Sequence, residues 1–298
     1  IDSHIHYPQY KVISSYGSSL LEWLNKYTFV EEQKFSDNEY AAKIAELFLD
    51  ELIKNGTTTA MTFCTSHKQS VDVFFTAAEK RNMRMIAGKV MMDRNAPADL
   101  CDDIDSSYAD SKSLIEKWHN KGRLSYAVTP RFAPTSTEGQ LTQAAKLLTE
   151  HPDVLLQTHL NENSEEIAWV KELYPKSRNY FDVYDKLGLS GPNSVFGHCI
   201  YNTVDEYKRM AETSSKAALC PTSNLFLGSG LFNLDELESY GIDVALASDV
   251  GGGDSFSMFD VMSQAYKVCR LNGYNLDPVK AFYLTTLAAA KVLGVDDS

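Results

Sequence analysis

Eight short apolar segments recur along the 298 residues, each followed by a loop and then by a stretch of helical periodicity. They are residues 1–6, 57–65, 84–92, 124–132, 154–160, 194–199, 216–223 and 243–249. Between them, Tyr40, Ile44, Leu47, Phe48 and Leu52 share one helical face. A capping box at Ser36-x-x-Glu39 opens that helix and Asn55-Gly56 closes it. Val71, Phe74, Phe75 and Ala78 form a second apolar stripe, and Leu141, Ala144, Ala145 and Leu148 a third after the "APTST" turn. Strands alternating with helices in this number predict an α/β (β/α)8 barrel of the TIM type, with an open doubly wound sheet as the alternative. A barrel gathers its reactive side chains at the carboxyl ends of several strands, so the placement of chemistry separates the two. No Pro/Gly-rich linker, short repeat or low-complexity stretch divides the chain, so residues 1–298 are expected to form a single domain.

Composition narrows the partners. With 44% hydrophobic and 23% charged residues the chain can bury a large core. A formal net charge of -12 with no local basic patch argues against nucleic acid and anionic lipid. Five cysteines, odd in number and without C-x-x-C spacing, indicate neither a disulfide framework nor a zinc knuckle, and fit a reducing cytoplasm. No uninterrupted apolar run approaches the roughly 20 residues that span a bilayer, so no membrane association is expected. The chain opens at Ile1 with almost nothing before a strand that carries His4 and His6, and its termini read as trimmed.

Four of the seven histidines fall at predicted strand ends: His4 and His6 on the first, His159 on the fifth and His198 on the sixth; Asp249 ends the eighth. On a strand, His4 and His6 point to one face, where their rings converge. Taken alone, His-x-His also suits a half-buried edge strand. Imidazoles and a carboxylate collected at one barrel rim, without thiolates, fit a Zn2+ site, Fe2+ being the alternative, with His4, His6, His159 and Asp249 as ligands. His198 is read as the residue that holds and polarises the attacking water, further ligation being the other option. Glu162, three residues after His159, reaches the same centre only if the chain has already turned at Asn161 and Asn163. There it is a proton shuttle, with Asp249 accepting a hydrogen bond from the water. His67, His119 and His151 are read as surface or packing residues.

This set, His-x-His on strand one, histidines on five and six and aspartate on eight, resembles the amidohydrolase superfamily of metal-dependent hydrolases over almost the whole chain. Binuclear members carry a carboxylated lysine, usually on the fourth strand; here that strand ends "TPRF", which implies one metal. Within the superfamily "HIHYPQ", "LLEWLNKYTF", "GKVMMDRN", "RFAPT", "HLNEN", "GHCIYN" and "CPTSNLFLGSGLF" resemble the guanine deaminase family's motifs in order. The resemblance implies hydrolytic deamination of guanine to xanthine and ammonia in purine catabolism, a homodimer, and a small β-sandwich flanking the barrel that is absent from this chain. It also implies that Gln9, Arg131 and Phe132 recognise the purine base. Their chemistry agrees: an amide that donates and accepts, a forked donor for a carbonyl, and an apolar ring for a flat base. Each also has a plainer role open to it, as a turn cap, a surface ion pair and a core residue. The rivals are an aminohydrolase acting on a pterin, a triazine or a related heterocycle, and a metal-binding barrel without catalysis. The H-x-E and P-C-x-x-C signature of the cytidine-type zinc deaminases is missing.

Overall fold

A computed structural model describes residues 1–17 and 19–297. Its strands are β1 (Asp2–His6), β2 (Thr59–Phe63), β3 (Arg84–Gly88), β4 (Val90–Met91), β5 (Ser125–Pro130), β6 (Leu155–Leu160), β7 (Ser194–His198), β8 (Lys216–Leu219) and β9 (Val244–Leu246). All pair in parallel, in the order β1-β2-β3-β5-β6-β7-β8-β9 with β4 extending the third stave against β5. The eight staves form a nearly closed TIM-type barrel with helices outside, so the open sheet is set aside.

Closure does not use a regular ladder. Ser3 Oγ donates to the Leu246 carbonyl at 3.1 Å, and the Ser248 amide and hydroxyl donate to the two Asp2 oxygens at 3.1 and 2.5 Å. Farther along, Asp249 N donates to the His4 carbonyl at 2.9 Å and His6 N to the Val250 carbonyl at 2.8 Å. Asp2 is fully buried here, and burial raises its carboxyl pKa against the opposing hydrogen bonds from Ser248.

Strand alternation builds both cores. Met61, Ile86, Ala127, Leu155, Val195, Ala218 and Ala245 fill the barrel interior. Their neighbours Ala60, Met85, Tyr126, Leu156, Phe196, Ala217 and Leu246 pack outward against the helices. Climbing the inner face in steps of two leads from Leu155 through Gln157 to His159, and from Ala127 through Thr129 to Arg131. Apolar residues thus occupy the floor and polar ones the rim. Gln157 Nε2 marks the transition, donating to the Thr62 carbonyl and to Thr129 Oγ1, each at 3.0 Å.

Several expected boundaries move. The third segment breaks at Lys89, whose amide donates to the Tyr126 hydroxyl at 3.2 Å instead of joining the ladder. The seventh ends at Leu219, because Pro221 starts the helix Pro221–Phe226, where its missing N–H costs nothing. The helix Asn38–Lys54 is capped by Asp37, whose carboxylate accepts from Glu39 N and Tyr40 N, and not by Ser36, whose hydroxyl donates to Gln33 O. Its buried stripe is Ala41, Ile44, Ala45, Phe48, Leu49 and Leu52; Leu47 is 39% exposed and lies beside the stripe. Among the described residues no helix is long and apolar enough to cross a membrane.

Candidate active site

His4 and His6 stand two residues apart on β1, both buried, with ring centroids 5.2 Å apart. His159 occupies the last inward position of β6 and stacks against His198 at 5.3 Å. His198 ends β7 with φ 71°, and Asp249 has φ 49°, left-handed values that non-glycine residues adopt sparingly. Asp249 lies three residues beyond β9 and does not end a strand as expected; its turned backbone sends the carboxylate back over the barrel mouth.

One donor atom each from His4, His159, His198 and Asp249 lies within 4.8 Å of the others. Asp249 Oδ1 is 3.1 Å from His6 Nε2 and 3.4 Å from His4 Nε2, and Asp249 Oδ2 is 3.8 Å from His198 Nε2. The sequence-based ligand set named His6 in this group and held His198 apart; by mutual distance His198 is inside it. Two observations fit a bound cation. His4 Nε2 and His198 Nε2 are enclosed yet make no hydrogen bond. The far nitrogens of two rings are already engaged: His159 Nδ1 donates to the Arg131 carbonyl at 2.7 Å and His198 Nδ1 to Asn224 Oδ1 at 2.9 Å. That fixes both Nε2 atoms as bare acceptors aimed at the centre. Three imidazoles and a carboxylate are the donor chemistry of a catalytic zinc or iron(II) site.

Burial keeps His4, His6 and His159 neutral. Burial pushes His6 down to about 3, against the opposing pull of Asp249, and lowers His4 and, more strongly, His159, whose ring also faces three other imidazoles. Burial works against the Asp249 carboxylate too, but the His4 and His6 rings beside it outweigh that and hold the group well below the usual range.

Glu162 is brought to this centre by the turn expected at Asn161, which adopts φ 52°. Asn163 then caps the helix Ser164–Leu173 in a capping box with Glu166. Glu162 Oε1 accepts from the Ser229 hydroxyl at 2.9 Å, and Oε2 lies 3.4 Å from His198 Nε2. Burial, reinforced by the Asp249 charge, raises the Glu162 carboxyl to about 8.

A cavity opens beside these groups, lined by His159, Glu162 and Asp249 on one side and by Gln9, Arg131 and Phe132 on another. All three of the latter are buried. Gln9 Oε1 accepts from Gly251 N at 3.1 Å and its Nε2 donates to Glu32 Oε1 at 3.2 Å. Arg131 Nη1 donates to both Glu32 oxygens, at 3.0 and 2.8 Å. Its partner is therefore a buried acid, not a surface one. Phe132 belongs to an apolar cluster with Leu20, Trp23, Leu24 and Leu227 that walls the cavity, so packing and pocket lining coincide in one side chain.

The profile of the amidohydrolase family matches residues 1–298. The chain belongs to the amidohydrolase family. It is 54% identical over 297 residues to guanine deaminase of Escherichia coli strain K12, covering 100% of this chain and 68% of that protein. The solved E. coli guanine deaminase superposes with a TM-score of 0.98 over 99% of this chain and 68% of that one. A structure of guanine deaminase from C. acetobutylicum with bound guanine in the active site, 35% identical, gives 0.94 over 98% and 72%.

In this amidohydrolase barrel the remaining histidines lie elsewhere. His119 bonds Asp153 at 3.0 Å and accepts from Tyr126 N, His67 precedes the helix Lys68–Lys80 without a side-chain capping bond, and His151 follows the helix Glu138–Glu150. Sequence reasoning missed Glu32, Asn224, Ser229 and Glu166. Asn224 and Ser229 sit inside "CPTSNLFLGSGLF" and Glu32 just beyond "LLEWLNKYTF", so the motifs flagged the segments without assigning their polar residues.

Proposed function

We infer that this enzyme hydrolyses guanine to xanthine and ammonia. The observation that carries the inference is one cavity lined both by the Glu162, His159 and Asp249 cluster and by the Gln9, Arg131 and Phe132 set. Relatives that share the whole chain are guanine deaminases, which supports the same substrate.

A single divalent ion, with zinc the assignment and iron(II) the alternative, is proposed to be held by His4, His6, His159 and Asp249, His6 Nε2 lying 3.1 Å from Asp249 Oδ1; His198 stands in the same cluster but faces Glu162 at 3.4 Å, which favours a role on the water. Bound there, it supplies Lewis-acid chemistry that brings the pKa of water toward neutrality. Gln9 and Arg131 orient the base through its ring edge and carbonyl, and Phe132 packs on its face. His198 and Asp249 hold the attacking water through Nε2 and the carboxylate. Glu162 takes a proton from that water as its oxygen bonds to the carbon bearing the exocyclic amine. It then delivers the proton to the adjacent ring nitrogen. A second transfer through Glu162 protonates the amine, which leaves as ammonia as the ring carbonyl forms. A carboxyl near 8 suits both directions of transfer. We further propose that residues 1–298 work as one barrel domain, that the protein is a cytoplasmic homodimer, and that sedimentation at micromolar concentration returns twice the chain mass.

The deciding assay is ammonia release by the metal-replete protein from guanine, with a pterin and an aminotriazine alongside. Turnover of guanine alone is expected; turnover of another ring with silence on guanine overturns the substrate.

A further inference from the structure

We propose that Glu32 is a positioning and specificity residue: its buried carboxylate joins Gln9 and Arg131 into one unit and cancels the Arg131 charge. The pocket then accepts a neutral purine and releases an acidic product. The proposal rests on the guanine reading above and names how the same pocket discriminates.

Glu32 closes the short helix Phe29–Glu32 and is 1% exposed. Its Oε1 accepts from both Gln9 Nε2 and Arg131 Nη1, and its Oε2 from Arg131 Nη1 alone. Because Gly251 N donates to Gln9 Oε1, the Gln9 amide is pinned at both ends and cannot exchange its donor and acceptor. One Gln9 N–H and one Oε1 lone pair remain for a ligand. Arg131 uses only Nη1 on Glu32 among the described residues, leaving the rest of its fork free. A guanidinium buried without a counter-charge is costly and draws any anion into the cavity. With Glu32 in place, that end of the pocket offers directed donors and no net charge.

Substrate and product differ in the property this arrangement reads. Guanine presents a neutral lactam, whereas xanthine carries an additional carbonyl and a more acidic ring N–H, and becomes an anion as pH rises. A pocket with an uncompensated Arg131 holds that anion; the compensated pocket does not.

The test compares metal-replete wild type, Glu32→Gln and Glu32→Asp. It measures kcat and KM for guanine, and inhibition by xanthine on both sides of the pH at which its ring N–H ionises. For Glu32→Gln we expect KM for guanine to rise about tenfold with kcat much less affected. Xanthine inhibition should strengthen about tenfold as xanthine ionises, a trend absent from wild type. Glu32→Asp keeps the charge but shortens the reach, so it should raise KM without the new pH-dependent inhibition. If Glu32→Gln does not fold, Glu32→Asp and wild type still decide: a KM unchanged in Glu32→Asp, or wild-type inhibition that strengthens as xanthine ionises, overturns the proposal. So does a Glu32→Gln enzyme whose KM and xanthine inhibition match wild type. Failure of the guanine reading is visible separately, as wild type that releases no ammonia from guanine.

Discussion

Glu162 is one side chain with two constraints on it: the Ser229 hydroxyl fixes Oε1, and burial holds the carboxyl near 8 while Oε2 faces His198. Replacing it with glutamine keeps the shape and removes the transferable proton. Glu162→Gln is therefore expected to lower kcat by roughly 10²–10⁴-fold while bound metal, measured by elemental analysis, stays at the wild-type level. Loss of the ion in that variant makes Glu162 a ligand instead of a proton carrier. At this scale the sequence was readable wherever alternation decides orientation: His4, His6 and His159 need only the period of two. His198 and Asp249 depend on left-handed backbone at φ 71° and 49°, and an aspartate or histidine in a string of letters does not announce that conformation. Glu32 was unreadable for another reason. Its partners are 23 and 99 residues away, and no local pattern joins them.

The loop and helix after β6 carry a second acid whose protonation affects stability. Glu166 opens the helix Ser164–Leu173, accepts from the backbone N–H of Glu162 and Asn163 at 3.0 and 3.2 Å, and receives the Tyr180 hydroxyl at 2.7 Å. Burial, followed by the nearby Glu162 charge, raises it from 4.5 to about 7. Between those values the folded state holds a proton that the unfolded chain has released, so stability falls as pH rises through about 7. Glu166→Gln removes that loss. Urea unfolding should show the variant gaining about 3 kcal/mol on wild type between acid and mildly alkaline pH, and parallel curves would refute it. On β7, a Cβ at Gly197 would lie 2.6 Å from His4 Cε1 and 2.9 Å from its Nδ1. Gly197→Ala is expected to tilt that imidazole and weaken metal affinity roughly 10–100-fold by competition with a chelator. Unchanged affinity would mean that the strand yields instead. Element existence was plain from periodicity, whereas element ends were not. They are set by single hydrogen bonds such as Lys89 N to the Tyr126 hydroxyl, and by Asp37 taking the cap from Ser36.

At the scale of the whole molecule, eight alternations of strand and helix made the barrel legible, but not how the first and last staves meet. That junction rests on Asp2, which satisfies two donors of Ser248 from the opposite side. Asp2→Ala leaves the enclosed Ser248 amide without its acceptor and should cost about 2 kcal/mol in denaturant unfolding. An unchanged midpoint would show that another acceptor takes its place.

The same junction gives the barrel a clasp. The two amides that bridge it farthest up belong to His6 and Asp249, and the carbonyls they meet are those of Val250 and His4. Whatever grips the side chains of His4, His6 and Asp249 also cinches the circle shut. Deuterium uptake at those two amides should slow when zinc is added and quicken when it is stripped, ahead of amides elsewhere in the staves. The place where the circle closes without a regular ladder is also the place where it works.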